Sequence, residues 1–206
     1  MTNKIGVITM SILGTQTCAV CGKQITPPHS RYRIENDEVI CNSCYKEAQI
    51  QPGQMHFGKI KMTSGQIKKQ IRDIDKQAKL VERKASSIEI QLSATGVSAA
   101  AVSKVSKEQL AAVGLSIRGS ERIITALFGT FEGSECLLMA THKKIMLLSE
   151  ETLTTYDLPS VSKLVVHDAV VDFKFNAIPV TVHGDDTALA QKFVATVQEE
   201  LVKYQV

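Results

Sequence analysis

A chain of 206 residues with 44% hydrophobic and 22% charged side chains can bury one large core or two small ones, and its composition is that of a folded globular protein rather than a disordered or fibrous one. A net charge of +3 is too small to demand a nucleic acid or a membrane as partner. No stretch approaches the roughly 18 consecutive apolar residues of a membrane-spanning helix.

The first apolar segment, Ile5–Leu13, follows Lys4 but is diluted by Gly6, Thr9 and Ser11. No small-residue cleavage pattern follows it, because Thr15-Gln16-Thr17 leads straight into the first cysteine. It reads as a strand or packed arm, and the protein as cytoplasmic. The cysteines agree with that compartment. Four form two Cys-x-x-Cys pairs and Cys136 stands alone in an apolar run, a pattern that suits metal binding in a reducing compartment better than a disulfide framework. Shifts in composition divide the chain into a cysteine-bearing module over 1–58, a helical connector over 63–106 and a β-rich domain over 107–206.

Cys18, Cys21, Cys41 and Cys44 are predicted to bind one structural zinc ion. Two residues between paired cysteines let both thiolates reach one ion, and the nineteen intervening residues supply a hairpin that returns the second pair. Val20-Cys21-Gly22-Lys23 reads as a zinc knuckle, with glycine permitting the turn. Arg31–Ile34 and Glu38–Ile40 alternate like paired strands about Asn36-Asp37. Asn42–Gln49 then reads as a short helix whose first turn presents N–H groups to the thiolates. A thioredoxin-type redox pair is the alternative, which two such pairs at this spacing disfavour. A catalytic zinc is disfavoured because four thiolates leave no position for water. His29, beside Pro27-Pro28, reads as a solvent-exposed loop residue. Knuckle, hairpin and helix in this order resemble treble-clef zinc domains such as the N-terminal domain of the ClpX unfoldase, over Cys18–Gln49.

Ile67, Ile71, Ile74, Ala78, Val81, Ala85, Ile88 and Leu92 recur in unbroken steps of four and three, the period of a coiled coil, behind a Ser64 N-cap. They form a candidate homodimer seam, with Gln77/Glu82 and Lys84/Glu89 at the flanking positions. The alternative is that the stripe packs on the chain's own domains. Lys69, Arg72, Lys76, Lys79 and Arg83 make the other face basic, a candidate anion-binding surface along phosphates or an anionic membrane. The plainer reading is a solvated helix face, since no aromatic residue interleaves it.

Arg122–Glu132, Glu135–Leu148, Leu153–Leu158, Val161–His167, Val170–Phe175 and Pro179–His183 read as strands separated by turn residues, the pattern of a small antiparallel barrel. Asp185 or Asp186 caps a final helix reaching Tyr204, with Leu189, Phe193, Val197 and Leu201 on one face. The run Gly133–Leu148, with its Thr141-His142-Lys143 turn between apolar strands, and Tyr156–Val161 after it resemble bacterial PH-like domains of the YokE-like kind over residues 105–206. The fold class expected is therefore α+β: a treble-clef zinc module, a helical connector and a PH-like antiparallel β-barrel with a C-terminal helix. The resemblance implies a binding scaffold without catalysis. Eukaryotic PH domains that read phosphoinositides use basic first loops, whereas Phe131–Glu135 is acidic here. His142, Lys143 and Lys144 form the one basic turn, and Cys136 reads as a small buried hydrophobe.

Phosphate-cradling, metalloprotease and nucleophile-elbow motifs are absent from the sequence, and His167-Asp168 or His183 with Asp185 are ordinary strand-end residues. The reading is a non-catalytic, zinc-containing interaction protein of bacterial or phage type with a protein partner. A nucleic-acid-binding regulator is the alternative, and a peripheral membrane protein a further one.

Overall fold

A computed structural model describes residues 15–26 and 30–204. The expected strand at Ile5–Leu13 and the placement of His29 lie outside the described residues. The chain forms two compact units, Met1–Ala78 and Lys79–Val206.

Unit 1 is built from very short strands: β1 (Gln16–Thr17), β2 (Gln24–Ile25), β3 (Arg31–Arg33) and β4 (Val39–Cys41). Helix α1 (Asn42–Glu47) follows, then β5 (Met55–His56) and β6 (Lys59–Ile60). β1 pairs with β2, while a second sheet runs β4-β3-β6-β5. The β3–β4 register, Arg31 opposite Cys41 and Arg33 opposite Val39, is the predicted hairpin. Its turn is Glu35–Asp37, where Asn36 and Asp37 take positive φ, a conformation these short polar side chains tolerate. Ile34, Ile40, Ala48, Ile50 and Ile60 fill the core.

Helix α2 runs Ser64–Thr95. Its cap is Thr63 rather than the expected Ser64: Gln66 N donates to Thr63 Oγ1 (3.3 Å) while Thr63 N donates to Gln66 Oε1 (2.8 Å), a reciprocal capping box. Ile67 is buried in the core of unit 1, and Ile71 packs against that core.

In unit 2 the last turns of α2 are followed by α3 (Ala99–Val102) and α4 (Lys107–Ser116), the latter begun by a second capping box between Ser106 and Gln109. Strands β7 (Ile123–Phe131), β8 (Ser134–Thr141), β9 (Lys144–Ser149), β10 (Thr152–Asp157), β11 (Val161–His167), β12 (Val170–Phe175) and β13 (Ile178–Gly184) form one antiparallel sheet ordered β10-β9-β8-β7-β13-β12-β11. The run 135–148, one strand by its apolar pattern, is two strands with the turn at His142-Lys143 that the PH-like resemblance implies, and there Thr141 Oγ1 accepts from the N–H groups of Lys143 and Lys144. Helix α5 (Thr187–Val202) is capped by Asp186, which accepts from Leu189 N at 2.9 Å. Seven antiparallel strands closed by one C-terminal helix are consistent with a PH-like domain, and the fold class is α+β as expected.

The sheet bends back on itself where β7 meets β13. At Gly129 an added Cβ would lie 2.1 Å from the backbone oxygen of His183, so only glycine allows the two strands to approach there. Both faces of β7, β8 and β9 are covered. Leu127, Leu138, Leu147, Val171 and Phe173 point into the barrel and pack with Phe193 and Val197 of α5. Phe128, Leu137, Met139, Met146 and Leu148 point outward and pack with Ala85, Ile88 and Leu92 of α2 and Leu110 and Val113 of α4. Double burial explains why β8 and β9 read as continuous apolar runs rather than alternating ones. Cys136 is buried in the inner core, where burial pushes its thiol up to about 12, as befits a small hydrophobe.

Candidate metal centre

Local structure brings the four sulfurs together. Gly22, at φ 75°, closes the first knuckle: its N–H donates to Cys18 O (2.9 Å), and Cys18 N donates to Lys23 O (2.8 Å). Cys41 ends β4 immediately before α1, and Cys44 lies in the first turn of that helix. The hairpin register sets the second pair against the first, with Ala19 N donating to Val39 O (2.9 Å) and Cys41 N pointing at Cys18 Sγ (3.4 Å). All four Sγ atoms lie within 4.8 Å of one another. Two separations decide what the cluster fits: Cys18 to Cys44 is 3.8 Å and Cys21 to Cys41 is 3.7 Å. Four sulfurs at about 2.3 Å from a common ion in tetrahedral array would stand about 3.8 Å apart, whereas a disulfide requires about 2.05 Å. The four cysteines can therefore hold one metal ion.

The electrostatics of the cluster call for a cation. Burial opposes ionisation of Cys18, but backbone N–H groups of Cys21, Cys41 and Val20 outweigh it and bring its thiol down to about 6. Burial raises Cys44 above the ordinary range, and the neighbouring sulfurs raise it further. Cys21 is likewise raised, chiefly by burial. One thiolate is accommodated by the backbone, and further ones need a positive ion in their midst.

Sequence reasoning missed the support beneath the site. Tyr32 on β3 and Tyr45 on α1 stack with ring centroids 3.9 Å apart and 10° between planes. Tyr32 OH donates to Asn42 Oδ1 (3.3 Å), tying the hairpin to the residue that begins α1. The signal available was one aromatic on each of the two elements.

The candidate dimer seam is divided. Ile67 and Ile71 pack in unit 1, while Ala85, Ile88 and Leu92 are buried in unit 2. Ile74 and Val81 are half-buried and Ala78 is exposed, so three of the eight seam positions stay outside both cores. Lys69, Arg72, Lys76, Lys79 and Arg83 are all exposed, as expected of a charged helix face. Arg72 Nε donates to Lys68 O (3.3 Å), within its own helix. The strand-end residues His167, Asp168, His183 and Asp185 are exposed as well.

No protein-family model and no curated protein matches the chain. Among solved structures, inner membrane complex sub-compartment protein 3 of Toxoplasma gondii is similar over 39% of this chain and 76% of that one, at 19% identity and a TM-score of 0.34. The complex of human RhoA with the DH/PH fragment of PDZRHOGEF is similar over 68% of this chain and 44% of that one, at 12% identity and a TM-score of 0.37. The linker-DH/PH domains of p115-RhoGEF give 68%, 45%, 11% and 0.38 in the same order. The chain thus spans less than half the length of the last two. Likenesses this weak say nothing about what it binds. Among the described residues, no helix is long and apolar enough to cross a membrane.

Proposed function

We propose that this is a non-catalytic interaction protein of the cytoplasm, of bacterial or phage type, in which a zinc ion holds a ClpX-like treble-clef module and a YokE-like PH domain offers a second binding surface. The observation that carries the reading is the donor set: four sulfurs within 4.8 Å of one another, two of the separations at the tetrahedral 3.7 and 3.8 Å, would use every position of a zinc ion, which would organise a small surface and have no site for water or substrate. A barrel interior filled by Leu127, Leu138, Phe173 and Phe193 supports a scaffold rather than an enclosed reaction chamber.

The test is capture of partners by the tagged full chain from its native cells, with wild type compared with Cys18→Ser/Cys21→Ser and metal content measured in parallel. One zinc per chain and a specific protein lost with the cysteines would support the reading. A metal-free protein, or capture of nuclease-sensitive material alone, would overturn it.

One observation favours a nucleic-acid reading as runner-up. Residues 1–78 carry 11 basic and 6 acidic side chains, a net +5, while residues 79–206 carry 13 and 15, a net −2. Association with nonspecific DNA that weakens steeply with salt would favour it.

A further inference from the structure

The sheet of unit 2 ends on β10 at one side and β11 at the other, and among the described residues neither outer edge pairs with a further strand. A free edge presents unpaired N–H and C=O groups that can take up another chain, and proteins commonly blunt such edges with bulges, prolines or lysines. β11 is blunted: its pairing shifts register between Ser162 and Val165, and Lys163 stands there at φ 54°. β10 has none of these devices. Its residues pair with β9 without interruption, from Thr152 opposite Ser149 to Asp157 opposite Lys144, and it contains no proline or lysine. Thr152, Thr154 and Thr155 are exposed, and threonine favours the extended backbone that an added strand would meet.

We propose that β10 is a docking strand for an extended, basic segment of a protein partner, which adds to the sheet and turns alternate lysine or arginine side chains into the groove beside it. The proposal rests on the reading of this chain as an interaction protein and names the chemistry of one partner surface. Alternation places Thr152 and Thr154 on the same sheet face as Ser149 and Leu147 opposite them. That face borders a groove of about 380 Å³, whose walls include Phe131, Leu147, Glu132 and Glu150. Phe131 suits the aliphatic stem of a long basic side chain, and the two glutamates suit its charged head. Glu150 is held in place by Ser134 Oγ, which donates to its carboxylate at 2.8 Å.

Charge selects the occupant. Adjacent strands run antiparallel, so the β7–β8 and β9–β10 turns share one end of the sheet, the end at which the edge strand β10 begins. They carry Glu132, Glu150 and Glu151, while the β8–β9 turn at the opposite end carries His142 and Lys143. A second copy of the chain suits the edge less well. Antiparallel pairing of β10 with itself would bring Glu151 of each copy beside Asp157 of the other, setting like charges together.

The test uses the full chain and short acetylated peptides, one alternating lysine with valine and one alternating glutamate with valine. The expected result is slowed amide exchange across Thr152–Asp157 with the basic peptide only, and no change in β11. Glu132→Gln/Glu150→Gln should weaken binding by about tenfold, and Thr155→Lys, an edge lysine, by a similar factor. Equal protection by the acidic peptide, protection elsewhere, or none at millimolar peptide would overturn the proposal. So would protection of β10 by self-association without peptide. If the peptides fail while a cysteine-dependent partner is still captured from cells, only the docking strand is refuted; loss of both refutes the interaction reading itself.

Discussion

The two units solve the same problem by different means. Among the described residues, the core of unit 1 holds nine buried side chains, two of them the cysteines Cys18 and Cys44, and its strands are two or three residues long. Unit 2 buries seventeen residues inside the barrel and thirteen on its outer face, along strands of six to nine residues. A core of the first size contributes too little apolar burial to fix a fold alone, and small domains of that kind depend on metals or disulfides. A core of the second size needs no such support. The difference predicts that a metal held by the four cysteines would belong to the stability of unit 1 and leave unit 2 untouched.

The sharpest way to break that comparison is to remove the metal. Cys41→Ser, or a strong chelator, should unfold residues 15–62, with a loss on the order of 10 kcal/mol of metal-linked folding energy, while the thermal transition of unit 2 stays in place. Amide exchange resolved along the chain and metal content by mass spectrometry check it, and a joint collapse would show that the units do not stand independently. The converse change is Phe173→Ala in the barrel. It should cost unit 2 about 3–5 kcal/mol and lower its melting temperature, with one metal per chain retained.

What could be read beforehand follows from how local each signal was. The candidate metal site was legible because each of its signals is short-range: each Cys-x-x-Cys pair, the turn at Gly22 and the hairpin turn at Asn36-Asp37 is written within a few residues. The strands of unit 2 were legible for the same reason, through turn residues and alternation. The helix was harder. Ile67 to Leu92 repeats with a coiled-coil period, but a period states that a face is apolar and does not state what covers it. Here its first turns face the core of unit 1 and its last turns cover the outer face of the barrel sheet. Helix α4 went unread because its apolar positions, among them Leu110 and Val113, show little helical asymmetry, though the Ser106–Gln109 capping box announced its start. Gln109 also reaches across to Glu150 O, a contact between residues far apart in the chain that no local pattern encodes.

Acid should separate the units in a predictable order. Even without the cation, Cys18 is lowered from 9.0 to about 6, so its contribution is present above the unfolded value and is lost as pH falls through about 6. Protons compete with the metal for all four sulfurs, and metal release therefore rises as the pH falls. In unit 2, Glu200 is held below its ordinary 4.5, first by Lys203 and, against the opposing effect of burial, by His142. Its contribution is present above 4.5 and is lost only as pH falls through that lower value. A chromogenic chelator should thus report metal release at a higher pH than unit 2 loses its tyrosine signal. Glu200→Gln should flatten the acid limb of unit 2 by less than about 1 kcal/mol, since Lys203 is solvent-exposed.

The smallest effect expected is at the middle of α2. With five of its eight seam residues committed to the two cores, Ile74, Ala78 and Val81 span little more than one heptad, and a coiled coil needs about three or four. Ile74→Asp should leave the sedimentation mass at micromolar concentration unchanged and cost little stability, because Ile74 is already half exposed. A wild-type dimer that the aspartate converts to monomers would reverse this assignment. It would mean that the apolar stripe serves self-association in addition to the two cores, and that the partner covering Ile74 is a second copy of the same helix.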